Sequence, residues 1–303
     1  VRLLVAALCW SAAFAQGLFD YDREKLPPLE CEELASRPDV RLQGCGFAAP
    51  RGGKLNLVLV SPKNVRPPYA GVIYQHGGGQ SMNSYLSEAT ILARAGVVSM
   101  LTDAPARGEG AKSELNELKL DEARRHQADI VVVLRMALEH LQRQPGVDGQ
   151  RVAYVGHIYG RVAGGTLAGV ERRLRTFVLL GAVPGIAEHV RVNSASYWQE
   201  MRNRLTDREF TQPLAMIRET DPANFLPAAT APVLVQCAKF DTPDNVKGCP
   251  EVHALAGGPK ELKWYDDDHH FSSWEAPRDR LGWLERHLAL RGVKARAREF
   301  WKR

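Results

Sequence analysis

Short apolar runs alternate with longer segments of helical spacing over most of the chain. Residues 55–60, 70–75, 97–101, 152–155, 177–180, 233–236 and 262–265 each read as a strand bounded by turn residues. Between them, 85–95 has helical spacing and stops at Gly96. A longer helix over about 118–144 places Ile130, Val133, Leu134, Ala137, Leu138 and Leu141 on one side and ends at Pro145-Gly146. A small-residue helix follows Gly160, and 278–290 reads as the last helix. Strands this short and this apolar are those of a sheet covered on both faces. The pattern therefore predicts the α/β class, with a mainly parallel central sheet flanked by helices. One stretch breaks the alternation: Pro184 to Pro232 carries Tyr197, Trp198, Met201, Phe210, Met216 and Phe225 but no strand pattern. It is read as a helical cap over about 184–231, near the carboxyl ends of the strands where such sheets place ligands.

At 303 residues the chain is long enough to bury a full core in one large domain. Its first residues have the order of an export signal. Arg2 precedes the apolar run 3–10, and Ala13-Phe14-Ala15 fits a small-x-small cleavage site. The predicted division is a signal peptide at 1–15, a Pro-rich lead-in at 16–53, the α/β domain at 54–290 and a basic tail at 291–303. Of five cysteines, Cys9 lies in the signal, which leaves Cys31, Cys45, Cys237 and Cys249. Three pairings are open to them, with closeness in sequence pointing to Cys31–Cys45 and Cys237–Cys249. An oxidising periplasmic or extracellular location would permit both.

Net charge is +5, and the densest basic run is the tail, read as the solvated end of the last helix. No nucleic-acid motif accompanies it, so a nucleic-acid partner is not expected. Past the signal no segment has the length to span a bilayer. The chain has neither a phosphate-binding loop nor a dinucleotide fingerprint, so no cofactor is expected. No metal site is expected either, although the run Asp266-Asp267-Asp268-His269-His270 has the residue types to hold a cation.

Three chemical signals occur in order. His76-Gly77-Gly78-Gly79 follows a strand; glycines there bring backbone N–H groups close to a ligand, as an oxyanion site requires. Gly156-His157-Ile158-Tyr159-Gly160 joins a buried strand to a helix and has the frame of a nucleophile elbow, in which the central residue is normally serine. Here that residue is Ile158. Asp241 and His269 then follow the last two strands, giving the chain order nucleophile position, acid, base. Asp244 and His270 are the nearest competitors. His76 and His157 are the candidates for contacting substrate.

With these residues the chain resembles the α/β-hydrolase superfamily, near its dienelactone hydrolase-like and acetyl xylan esterase-like branch. The resemblance covers roughly 54–290 and extends to Glu88, Asp129 and Asp103-Ala104-Pro105 with Arg107. It implies that His269 is the general base and that Asp241 orients it. Gly77 or Gly78, with Tyr159, would supply the oxyanion N–H groups, and the partner would be a small ester or lactone. Ile158 departs from that pattern, since it has no nucleophilic atom and cannot form an acyl-enzyme. A catalytically impaired hydrolase is therefore expected. Two alternatives stand beside it: a non-catalytic protein that binds an ester-like ligand, and an active hydrolase with another nucleophile. Ser81 and Ser84 are better explained as helix N-caps than as nucleophiles. A β-branched residue at the elbow is also expected to be strained by about 1–3 kcal/mol. Arg161 is a second departure, where a small residue is expected.

Overall fold

The computed structural model describes residues 17–50, 52–77, 80–103, 120–181, 183, 185, 196–204, 206, 214 and 218–301. The segment read as an export signal, Gly78, Ala104 to Arg107 and much of the stretch read as a cap lie outside the described residues. Nine strands form one sheet. They are β1 (Glu30–Ser36), β2 (Val40–Ala48), β3 (Lys54–Pro62), β4 (Tyr69–Gln75), β5 (Val97–Thr102), β6 (Val147–His157), β7 (Thr176–Leu180), β8 (Val233–Ala238) and β9 (Lys260–Tyr265). Their order across the sheet is β1-β2-β3-β5-β4-β6-β7-β8-β9. The pairings from β5 through β9 are parallel, and β1, β2 and β3 add antiparallel partners at one side.

Helices cover both faces, which is why the central strands are buried along nearly their whole length. On one face α2 (Leu120–Gln142) and α3 (Tyr159–Val170) bury Ile73, Tyr154, Phe177, Leu179 and Val235. On the other, α1 (Leu86–Ala93) and α7 (Glu275–His287) bury Val72, Tyr74, Val155, Val178 and Leu234. Alternate residues of each strand thus serve separate cores. The edges are protected by charge: β1 is exposed throughout and carries Glu30, Glu32 and Glu33, and β9 carries Lys260 and Lys263.

Three segments differ from the sequence reading. The lead-in contains β1 and β2, and β2 pairs with β3 from Val40↔Pro62 to Ala48↔Lys54. Its Pro-rich start and its exposed, glutamate-rich β1 hide a strand signal that rests on edge pairing rather than on burial. A disulfide joins Cys31 to Cys45 at directly paired positions of β1 and β2. The basic tail is not the solvated end of the last helix. It forms a separate helix, α8 (Val293–Trp301), which buries Val293 and Ala297 and brings Trp301 edge-on to Trp274. A further helix, α6 (Pro243–Leu255), lies between β8 and β9 and is tied to β8 by the disulfide Cys237–Cys249. In the cap stretch the described residues form α4 (Ser196–Arg204) and the short α5 (Pro222–Phe225), which packs on α3. Among the described residues no helix is long and apolar enough to cross a membrane.

One buried ion pair links the helices of the second face to the sheet. Arg280 of α7 donates to both carboxylate oxygens of Glu88 in α1, from Nε at 2.9 Å, and from Nη1 to Gln236 of β8 at 2.8 Å. Gln236 passes the network on to Tyr265 and the carbonyl of Ala276. A pair removed from water to this degree stabilises only while both partners remain. Arg280→Met is therefore expected to lower unfolding stability by about 3–5 kcal/mol, because it strands a buried carboxylate. The double variant Arg280→Met/Glu88→Leu is expected to recover part of that loss, as read by urea denaturation.

Candidate active site

The site is built where β6 turns into α3. Gly156 and Gly160 bracket the turn, and neither tolerates a side chain. A Cβ on Gly156 would overlap the carbonyl of Gly160, and one on Gly160 would overlap the carbonyl of Gln75 at the end of β4. Between them Ile158 has φ 44° and ψ −92°. That lies outside the broad allowed regions and is a true outlier for a β-branched residue. Two backbone bonds hold it there, Ile158 N–H to Leu180 O and Val162 N–H to Ile158 O, both 3.0 Å. The side chain leans across the end of β7 onto Gly181, itself at φ 71°. The elbow frame is thus present in three dimensions, with an isoleucine at its apex.

The acid and the base meet at the ends of β8 and β9. His269 Nδ1 donates to Asp241 Oδ1 at 2.8 Å, and this bond raises the imidazole above its ordinary value. The same oxygen accepts from Asn245 Nδ2 at 2.9 Å and from Thr242 N–H at 2.7 Å. Burial pushes the Asp241 carboxyl up, but the bonds from His269, Asn245 and Thr242 outweigh it and hold the group below the usual carboxylate range. The Asp241 side chain is 1% exposed and that of His269 is 36% exposed. The acid is therefore enclosed while the ring reaches the surface, with Nε2 unpartnered among the described residues. Asp267 builds the loop under His269 by accepting from the backbone of Asp268, Ser272 and Ser273. Phe240 N–H reaches the Asp267 carbonyl at 3.0 Å and ties the acid loop to the base loop.

Several solved structures share this arrangement of elements at low sequence identity. An acetyl xylan esterase from Paenibacillus sp. R4 is 17% identical, with a TM-score of 0.73 over 91% of this chain and 93% of that one. Acetyl xylan esterase 1 from Thermoanaerobacterium sp. JW/SL YS485 is 17% identical, with a TM-score of 0.71 over 91% and 92%. A cold-adapted esterase from an Arctic intertidal metagenomic library is 15% identical, with a TM-score of 0.61 over 86% and 99%. The chain has the α/β-hydrolase fold. No protein-family model and no curated protein matches its sequence.

Within this hydrolase fold the predicted residues divide. Asp241 and His269 are brought together, whereas His270 is exposed, with its backbone N–H on Asp268. Tyr159 starts α3, so its N–H belongs to the first turn, where a helix supplies no acceptor; its hydroxyl bonds His126 Nε2 at 2.8 Å. Gly77 N–H donates to Gln80 Oε1 at 3.1 Å. His76 and His157, the candidates for contacting substrate, are held by the protein. Both are buried, and both nitrogens of each are engaged by the protein. His76 meets Asp103 at 2.5 Å and the Gly77 carbonyl, and His157 meets Gln80 and the His269 carbonyl. Ser81 stands at the N-cap of a 3-10 turn without a capping bond from its hydroxyl.

Asn245 and Gln80 are functional neighbours that the sequence reading missed. Asn245 follows Asp241 by one helical turn, and Thr242-Pro243 carries the signal of a helix start that would have placed it. Arg161 is buried in the first turn of α3. Its Nη1 donates to the carbonyl of Val183, and Nε has no partner among the described residues. Burial pulls its guanidinium down to about 10, against the opposing charge of Asp221.

Two outcomes follow from this geometry. Gly160→Ala is expected to destabilise the chain by about 1–3 kcal/mol in thermal or urea unfolding, because the added methyl must displace the Gln75 backbone. The acid–base pair also gives stability a pH signature. The share of His269 is complete below 6.5 and fades as pH rises through its raised folded value. The share of Asp241 is present above 3.8 and is lost as pH falls through its lowered value. The stability difference between the natural chain and Asp241→Asn is expected to be largest between 3.8 and 6.5. It should be smaller at about pH 9, in urea unfolding across a pH series.

Proposed function

We propose that the chain is a carboxylic-ester hydrolase in architecture whose nucleophile position is occupied by Ile158, so that its acid–base machinery is present and its covalent step is not. The observation that carries this reading is the Asp241–His269 pair at 2.8 Å, set at the ends of β8 and β9 beside a strand-to-helix turn with φ 44° at its apex. The pair matches the roles required for acyl transfer. A serine at 158 would give its proton to His269 Nε2 as its oxygen attacks the ester carbonyl, and Asp241 would stabilise the resulting imidazolium. The leaving alcohol would then take that proton. Isoleucine offers neither the proton nor the lone pair. The structural neighbours named acetyl xylan esterase support small acyl esters as the substrate class. The two disulfides, together with the leader-like first residues, support export to an oxidising compartment.

The test is hydrolysis of short-chain aryl esters by the natural chain, by Ile158→Ser and by Ile158→Ser/His269→Ala. The serine variant is expected to exceed the natural chain by at least about 10³-fold in kcat/KM, and the added alanine to remove the gain. Ile158→Ser/Arg161→Gly repeats the comparison with the first turn of α3 relieved of its buried cation. A natural chain already as fast as both serine variants would place the nucleophile elsewhere.

A further inference from the structure

The residue before the nucleophile position is buried and polar, and the reaction scheme gives it no part. His157 is 2% exposed. Its Nε2 lies 2.9 Å from the carbonyl oxygen of His269, and its Nδ1 lies 2.7 Å from Gln80 Oε1. The rings of His269 and Phe271 pack against it, each with its centroid 5.6 Å away. Three loops therefore converge on one imidazole: the glycine loop through Gln80, the elbow through His157 itself, and the base loop through the backbone of His269.

The protonation of that ring is constrained. Burial, aided by the neighbouring His269, pushes the imidazole down to about 3, so it is neutral at ordinary pH and carries one proton. A carbonyl oxygen only accepts, so the proton belongs on Nε2, facing His269. Nδ1 is then a lone pair and requires a donor. A half-turn of the Gln80 amide exchanges its oxygen for its nitrogen at the same place and supplies that donor. The same half-turn puts the amide nitrogen where Gly77 N–H now finds Oε1 at 3.1 Å, so this arrangement also requires Gly77 N–H to turn away from the amide. In the opposite arrangement Nδ1–H donates to Gln80 Oε1, Gly77 N–H stays occupied, and the lone pair of Nε2 is pressed against the His269 carbonyl.

We propose that His157 is a positioning residue for the base and that Gln80 selects its ring form: the Gln80 amide nitrogen matches the Nε2–H form of His157, and that N–H tethers the backbone of His269 so that its ring stays on Asp241. The inference rests on His269 being the base, but its first readout needs no turnover. It therefore stands or falls separately from the esterase reading.

The experiment is nitrogen NMR of the natural chain with labelled histidine. His157 is expected to carry its proton on Nε2, with Nδ1 bare, from about pH 5 to 9. A proton on Nδ1 in that range would overturn the proposal. Gln80→Glu offers Nδ1 and Gly77 N–H only acceptors and is expected to bring a proton to Nδ1; an unchanged ring would show that Gln80 does not set it. His157→Phe keeps a buried ring without the tether. It is expected to lower the titration midpoint of His269, which Asp241, Asp268, Asn245 and His270 otherwise surround, by about half a unit or more. In the Ile158→Ser background it is expected to lower kcat about tenfold or more while KM stays within about twofold. A folded His157→Phe variant with an unmoved His269 midpoint refutes the tether. If that variant does not fold, the ring form in the natural chain decides alone.

Discussion

The site depends on how closely three backbone segments approach one another at the end of β6. Gly156, Gly160 and the carbonyl of Gln75 lie so near that a methyl group on either glycine has no room. Such an approach forces the intervening residue to turn the chain within one peptide, and the φ of 44° at Ile158 is the result. Unusual backbone of this kind persists only where its surroundings over-determine it. Here they do: the turn is clamped to β7 through Leu180 O, to α3 through Val162 N–H, and to β4 through the glycine contact. The conformation is imposed by neighbours and not by the residue that adopts it, which is why an isoleucine can occupy it.

From that fixed point the rest of the site is positioned by polar contacts between loops rather than by further packing. The base loop is shaped by Asp267, the acid loop is joined to it through Phe240, and the acid itself accepts three donors on one oxygen. The disulfide Cys237–Cys249 closes the acid loop onto α6 and so limits how far Asp241 can drift from β8. Both hydrophobic cores lie below these loops, one on each face of the sheet. The division suits a catalytic scaffold: apolar burial supplies stability, and directional bonds supply geometry.

How far this was legible in the sequence depended on whether a feature was local. The central strands stood out because each is buried on both faces and reads as a mainly apolar run. The glycines of the elbow stood out because their spacing is short and fixed. β1 did not, since an exposed edge strand needs no apolar pattern and its partner lies in another strand. α8 was hidden by its charge: only Val293 and Ala297 are buried, and the lysines and arginines between them read as a solvated tail. Asp241 and His269 were found from chain order. Asn245 and Gln80 were not, because an amide beside a catalytic group has no sequence signature apart from the turn that carries it. The protein partners of His76 and His157 were hidden for the same reason, since a sequence cannot say which groups an imidazole near a site will meet.

The isoleucine separates two properties that usually travel together in this fold. The strained turn is ordinarily read as a device for presenting a nucleophile. Here the turn is retained at a position with nothing to present, and its clamps are intact. Strain of about 1–3 kcal/mol is therefore sustained by the surrounding contacts with no hydroxyl at the apex. The buried Arg161 adds a desolvated cation in the same helical turn, with Nε unpartnered among the described residues. Both of these features sit at one end of α3; the acid and base loops carry their own, with Asp241 Oδ2 buried and unpartnered among the described residues and Phe271 at φ 53°. The two departures from the expected elbow pattern, Ile158 and Arg161, lie together at the start of one helix. The surrounding geometry, which depends on backbone and glycine contacts, does not require a serine to hold its shape.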